Sequence, residues 1–178
     1  RFDNWLPSLP DVTFDHKYVY EEIGYNIKPL DLQAAIGLVQ LEKLDEMIEI
    51  RKKNFNRLYD IFSKYESVFH LPEATDGSDP SWFAFPLTLK DNISFDRYDL
   101  ISFLEDRKIQ TRNYFAGNLL LQPAYMGLYQ GDVKNDFPVA TKVTTDTFFL
   151  GTSPVITDEQ LDYIEEKTKE YFDKGIIK

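Results

Sequence analysis

Gly24-Tyr25-Asn26-Ile27-Lys28-Pro29-Leu30-Asp31-Leu32-Gln33-Ala34-Ala35-Ile36-Gly37 joins a polar turn to the start of a long helix. Pro29 suits the first helical position, because its missing N–H would find no intrahelical acceptor there. Asn26 to Lys28 then lie just outside the helix, with side chains free to face a ligand. Further on, Leu41, Leu44, Ile48, Phe55, Leu58 and Phe62 recur at alternating three- and four-residue spacings, with Arg51 in the one gap. The spacing predicts one continuous amphipathic helix from Pro29 to about Tyr65, roughly 50 Å long at 1.5 Å per residue. A helix of that length is expected to leave one globular body and enter another. Gly37 costs about 1 kcal/mol relative to Ala in a helix interior, so close approach of another backbone near Ala34, Ala35 and Gly37 is the expected compensation. Beyond Glu42 the exposed face is charged, and Glu49 with Lys53 has the spacing of an i,i+4 ion pair.

Ahead of this run, residues 1 to 28 carry Pro7 and Pro10 without sustained periodicity and read as an extended, ordered loop. Behind it, Leu71 to Pro80 is a linker or surface loop. Ser81 to Lys90 is aromatic and β-prone, with Trp82, Ala84, Pro86 and Thr88 on one face and Phe83, Phe85, Leu87 and Leu89 on the other. Pro86 asks for an edge position or a bulge. Ser94 is placed to cap a helix from Phe95 to about Arg107, with Tyr98, Ile101, Phe103 and Leu104 as its buried stripe, and a short strand over Ile109 to Tyr114 follows. Residues 115 to 135 hold three glycines, Pro123, Asn118, Gln122 and Gln130, long for a structureless connection and therefore a candidate site loop. Pro138 opens a short helix over Phe137 to Thr145, Thr147 to Gly151 is a strand, and Thr157-Asp158-Glu159-Gln160 is the capping box of a last helix reaching about Phe172. Alternating helices and strands without parallel-sheet spacing predict an α+β class, with helices covering one face of a small antiparallel sheet.

The 178 residues suit one ordinary domain or two unequal pieces, and a 43% hydrophobic content supports a packed core. Thirty acidic against twenty basic residues give a net charge of -10, which argues against sequence-independent binding to nucleic acid or to an anionic membrane. No apolar run approaches the roughly 18 to 20 residues that span a bilayer, so a soluble cytoplasmic protein is the expectation. The absence of cysteine excludes disulfides, a thiolate nucleophile and cysteine-held iron or zinc within this chain. His16 and His70 are too few for a histidine-rich metal site. The 14 Phe and 11 Tyr residues, without a basic groove beside them, read as core packing and not as a base-stacking platform.

Asn26 has two readings, a turn residue bonded to its own backbone or a ligand contact. Lys28 sits at the positive end of a helix dipole, where a cation is slightly disfavoured, which raises its odds of meeting a phosphate or carboxylate. Arg112 ends a strand beside a glycine-containing loop, a good place for an anion clamp, although a plain surface arginine fits as well. His16, between Asp15 and Lys17, and His70, before Leu71-Pro72, lack arranged acid–base neighbours and read as structural. Asp158-Glu159 and Glu165-Glu166 read as a solvated helix face. No Walker loop, dinucleotide fingerprint, nucleophile elbow or zinc spacing is present.

The run from Gly24 to Leu44 resembles the DegT-type sugar aminotransferases and dehydratases, enzymes of the aspartate-aminotransferase fold that use pyridoxal or pyridoxamine phosphate. Asp15-His16-Lys17-Tyr18, Asp79-Pro80-Ser81-Trp82-Phe83, Phe115-Ala116-Gly117-Asn118 and Leu161-Asp162-Tyr163-Ile164 resemble the branch that removes the C3 hydroxyl of CDP-4-keto-6-deoxyglucose in lipopolysaccharide dideoxysugar synthesis. The similarity covers nearly the whole chain. It implies the C-terminal part of a subunit of pyridoxal phosphate fold type I: residues 1–45 as the dimer-facing end of the large cofactor domain, then a bridging helix and a small α+β domain over 46–178. It also implies that the acid–base histidine, most cofactor contacts and the cysteines of an iron–sulfur cluster lie upstream, so that this chain carries no catalytic residue and alone is inactive. A separate electron-transferring reductase is the implied partner of the full-length enzyme.

Carried over residue by residue, Asn26 matches the asparagine that reaches across a homodimer interface to the cofactor phosphate. Lys28 stands where many sugar aminotransferases of the wider family carry Arg, and Lys there resembles the dehydratase branch. Arg112 and Asn118 fall in the segment that borders the sugar nucleotide. The alternatives are a nucleotide-sugar aminotransferase on the same scaffold, which requires an upstream Schiff-base lysine, and a non-catalytic interaction module presenting the loop before Gly24 and the small-residue face near Gly37.

Overall fold

A computed structural model describes residues 2–3, 7–8, 10–15, 17, 19–20, 22–25 and 27–173. The chain forms two compact units, Arg1–Gln40 and Leu41–Lys178. In the first, β1 (Phe2–Asp3) pairs antiparallel with β2 (Phe14–Asp15), so the expected opening loop is closed by a two-residue ladder. Helix α1 (Asp31–Glu42) starts two residues later than Pro29. The reason lies in its cap: the Leu30 N–H donates to Gln33 Oε1 at 3.0 Å, the returning half of a capping box, and Asp31 puts a carboxylate in the first turn. Pro29 therefore fixes the entry to the helix and does not begin it.

No residue of α1 is buried, and Leu32, Ile36, Leu38 and Leu41 are 72%, 57%, 64% and 65% exposed. Nothing among the described residues lies within 4 Å of a Cβ built on Gly37, so none of them makes the expected close backbone approach. The predicted single helix is interrupted. Helix α2 runs over Leu44–Phe62, and Lys43 before it has φ -98° and ψ -4°, a ψ that opens the regular i→i−4 ladder for one step.

In the second unit β3 (Phe69–His70), β4 (Ala84–Leu89), β5 (Thr111–Asn113) and β6 (Thr147–Gly151) form an antiparallel sheet in the order β3-β4-β6-β5. Pro86 sits on β4 between two neighbours, where its missing N–H is a liability. The register resolves this: β3 pairs only with Thr88 and Leu89, so at Pro86 the strand has β6 on one side and no strand on the other. Phe85, Leu87 and Leu89 alternate inward as predicted, and Phe148 and Leu150 join them from β6.

Helix α3 (Arg97–Asp106) is capped by Asp96, which exchanges hydrogen bonds with Asp99, and not by Ser94. Its buried residues are Leu100 and Leu104, whereas Tyr98, expected in the stripe, is 73% exposed. Two 3-10 turns, Leu119–Leu121 and Pro123–Tyr125, interrupt the long loop. Helices α4 (Val133–Asp136) and α5 (Pro138–Asp146) lead to β6, with Pro138 in the first turn of α5. Helix α6 (Asp158–Asp173) opens on the predicted box, Gln160 N to Thr157 Oγ1 at 3.3 Å and Thr157 N to Gln160 Oε1 at 3.0 Å.

The core joins Phe55, Leu58, Ile61 and Phe62 of α2 to Leu100 and Leu104 of α3, to Leu161, Ile164 and Tyr171 of α6, and to the inward face of the sheet. Ion pairs lace α2 to α6: Arg57 meets Asp162 at 3.0 Å and also Glu165, and Lys53 meets Asp158 at 2.7 Å. Asp158 and Glu165 are thus not simply a solvated face. Glu49 pairs with Lys52 at 3.6 Å instead of Lys53, whose ammonium is taken by α6.

Candidate functional site

Because Arg112 on β5 pairs with Phe149 on β6, and Phe149 with Pro86 on β4, these three form a row on the sheet face opposite the core. Phe149 is almost buried at 7% exposure, while Phe83 and Phe115 beside it are 67% and 68% exposed. The three rings form a cluster, edge-to-face for Phe83 with Phe115 and Phe115 with Phe149, at centroid distances of 6.2 and 5.9 Å, and tilted for Phe83 with Phe149 at 6.0 Å. Phe83 escapes the strand because Trp82, at φ +25°, turns the chain just before β4 begins. The Trp82 ring stacks flat on Phe55 at 4.0 Å. Its carbonyl accepts from Thr152 Oγ1 at 2.6 Å and from Arg51 Nη1 at 3.4 Å, which holds the Arg51 guanidinium beside the aromatic cluster.

Arg51, Phe83, Arg112, Phe115, Phe149 and Thr152 line a cleft of about 610 Å³, within the usual range for small-ligand sites. The Arg112 side chain is exposed there and its guanidinium makes no hydrogen bond or ion pair with the described residues. Among the described residues the lining also holds the amides of Gln110 and Asn113 and the hydroxyls of Thr152 and Ser153, but no carboxylate, imidazole or amine. The cleft is therefore equipped to bind: two guanidiniums for an anion, rings for an apolar or planar group, and no side chain suited to proton transfer near neutral pH. In a chain with net charge -10, two guanidiniums thus line one cleft with no carboxylate among its described lining residues.

The other expected site residues fall elsewhere. Asn118 is 4% exposed and its side chain is occupied, Oδ1 accepting from Leu120 N at 3.1 Å and Nδ2 donating to Thr141 Oγ1 at 3.2 Å. It caps the loop that carries Phe115 and presents no free polar atom to a ligand. Lys28 is exposed in the first unit, with no hydrogen bond or ion pair to the described residues. Asn26 and His16 lie outside the described residues. His70 is an exposed residue of β3. The sequence reading missed Arg51, Phe83, Phe115 and Phe149 as site residues. Arg51 had left a signal, as the one polar interruption of the apolar stripe on α2.

Residues 10–169 match the profile of the DegT/DnrJ/EryC1/StrS aminotransferase family. Among curated relatives, the lipopolysaccharide biosynthesis protein RfbH of Salmonella typhimurium is 44% identical over 97% of this chain and 39% of its own length. The dTDP-4-dehydro-2,6-dideoxy-D-glucose 3-dehydratase of Saccharopolyspora spinosa is 40% identical over 98% of this chain and 37% of its own length. The solved structure of E. coli GDP-4-keto-6-deoxy-D-mannose-3-dehydratase with bound hydrated PLP superposes with a TM-score of 0.72 at 26% identity, over 85% of this chain and 38% of that one. The chain thus spans about two fifths of the length of the curated relatives it matches. On the extent of the profile match and the shared fold, the chain belongs to the DegT/DnrJ/EryC1/StrS aminotransferase family, a pyridoxal-phosphate-dependent group built on the aminotransferase fold.

Proposed function

We propose that this chain is the C-terminal portion of a nucleotide-sugar 3-dehydratase that removes the C3 hydroxyl of CDP-4-keto-6-deoxyglucose in lipopolysaccharide 3,6-dideoxysugar synthesis. Two relatives support this, one named for lipopolysaccharide biosynthesis and one for a sugar 3-dehydration. The observation that carries the reading within the structure is the unpartnered Arg112 beside Arg51 in an aromatic cleft with no acid–base side chain. That is the chemistry of a recognition surface for a diphosphate-linked sugar whose reaction is run by other residues. Asn118 serves it by shaping the loop; Lys28, in the first unit, is proposed by itself as an anion contact at the helix entrance.

The cofactor is proposed to be pyridoxamine phosphate, interchanging with pyridoxal phosphate. When bound it supplies the amine through which a 4-keto sugar is activated for loss of its C3 hydroxyl. Of the residues flanking Asn26 in the sequence, Gly24, Tyr25, Ile27 and Lys28 are exposed, and among their side chains only Lys28 carries a cation. This chain therefore offers one edge of a phosphate site, with Asn26 contributing across a homodimer, and the rest is assigned to residues beyond it. An iron–sulfur cluster and a reductase partner belong to the same proposal for the full-length protein, as does a cytoplasmic location. A nucleotide-sugar aminotransferase is the second reading, favoured by the family's description.

The test is incubation of the complete protein with pyridoxamine phosphate, glutamate and CDP-4-keto-6-deoxyglucose, followed by mass analysis of the sugar. Loss of the C3 oxygen is expected. Formation of a 4-amino sugar from glutamate would refute the dehydratase in favour of the transaminase.

A further inference from the structure

Phe115 stands in the open at the mouth of the cleft, and the groups that hold it belong to another element. Gly117, at φ +65°, brings the loop backbone against α5, where an added Cβ would lie 3.0 Å from both Cα and Cβ of Thr144. Thr144 Oγ1 accepts from Asn118 N at 2.7 Å and donates to Ala140 O at 2.8 Å. Thr141 adds a second tie by accepting from Asn118 Nδ2 at 3.2 Å. The Thr144 carbonyl accepts from Arg97 Nη1 at 2.9 Å, and the same nitrogen reaches Thr147 O at 2.9 Å, at the start of the strand that carries Phe149. One residue thus references the Phe115 loop to the strand on the opposite side of the ring cluster.

The geometry points to Thr144 as a positioning residue that fixes the Phe115 wall against Phe149 and thereby sets the affinity of the cleft for a nucleoside diphosphate. This rests on the reading that the cleft receives the nucleotide sugar. Thr144 is not among the described lining residues of the cleft, and its influence passes through Gly117 and Asn118. Valine keeps the shape of threonine but neither accepts from Asn118 N nor donates to Ala140, so the loop loses its tie at constant volume.

The test is calorimetric titration of the complete protein and its variants with CDP. Thr144→Val is expected to weaken CDP by roughly tenfold, the net worth of one hydrogen bond, while Thr144→Ser, which keeps the hydroxyl, binds as the wild type does. Phe115→Ala, at an exposed position, is expected to weaken CDP to a similar degree, and adding Thr144→Val to it to cost nothing more, because the two act through one wall. If Thr144→Val does not fold, Thr141→Val at a half-exposed position cuts the second tie and is expected to weaken CDP by about threefold. Wild-type affinity in Thr144→Val or in that substitute, or additive losses in the double variant, would overturn the role of Thr144 while Arg112→Ala still loses CDP. A wild-type protein that does not bind CDP would overturn the reading of the cleft, and the role of Thr144 with it.

Discussion

Replacing Tyr171 by Phe should make the protein more stable. The residue is 1% exposed on α6, and its ring packs edge-on against Phe103, Phe172 and Phe95 at 5.0, 5.2 and 5.4 Å. Its hydroxyl has no hydrogen-bond partner among the described residues. Burial, and then the nearby Asp99 and Asp96 carboxylates, push the phenol up to about 12 from its ordinary 10.0. Phenylalanine keeps every ring contact and removes only the stranded oxygen. An unpaired buried hydroxyl costs about 1–3 kcal/mol. For a chain of this size each kcal/mol shifts Tm by about 2–4 °C, so a mid-range gain of about 2 kcal/mol raises Tm by about 6 °C in a calorimetric scan. The pH dependence has a definite sign. Below pH 10 both folded and unfolded phenols are protonated; from there toward about 12 only the unfolded one releases its proton, so wild-type stability falls and the advantage of Tyr171→Phe widens. A variant that melts lower than the wild type would refute the reasoning, since the hydroxyl would then have to be paired.

Arg112→Ala should abolish CDP binding yet leave the urea midpoint within about 0.5 kcal/mol of wild type, because the guanidinium has no partner to lose; a marked loss of stability would contradict that. Gly117→Ala should cost more than about 1 kcal/mol, since it combines a positive φ with a clash on Thr144, and an unchanged denaturation midpoint would show that the loop can move away. Lys64 and then Arg57 hold the Glu165 carboxyl below its ordinary value of 4.5. Its contribution is therefore present above pH 4.5 and lost as the pH falls through the lowered value, so the difference in Tm between Glu165→Gln and wild type should shrink below pH 4.5. A difference that is flat with pH would count against the ion pairs.

Local signals were legible in the sequence where the competing chemistry was one-sided. The Thr157 box, Pro138 and the strand Thr147 to Gly151 all appear where their residue types place them. At α3 two caps compete, and Asp96 prevails because Asp99 returns its bond, which Ser94 has no partner to match. The i,i+4 rule failed at Lys53 because α6 offered a closer carboxylate, a tertiary fact that spacing does not contain. The cleft was legible only in part. Arg112 was singled out from its place at a strand end and lines the cleft, but its neighbour Phe149 is set by the register of β5 on β6, and Phe83 was put on one strand face with Phe85 although β4 starts only at Ala84. Asn118 was singled out for its polarity, which the fold spends on holding a loop.

Helix α1 carries its leucines and isoleucine in the open, and a twelve-residue helix without cover is marginal in water. Whatever shields that surface, be it another chain or a second copy, adds its binding free energy to the folding of residues 31–42. With a second copy as the cover, the helical signal of this segment rises with protein concentration, and with another chain it rises with the concentration of that chain, making order in residues 31–42 a matter of mass action.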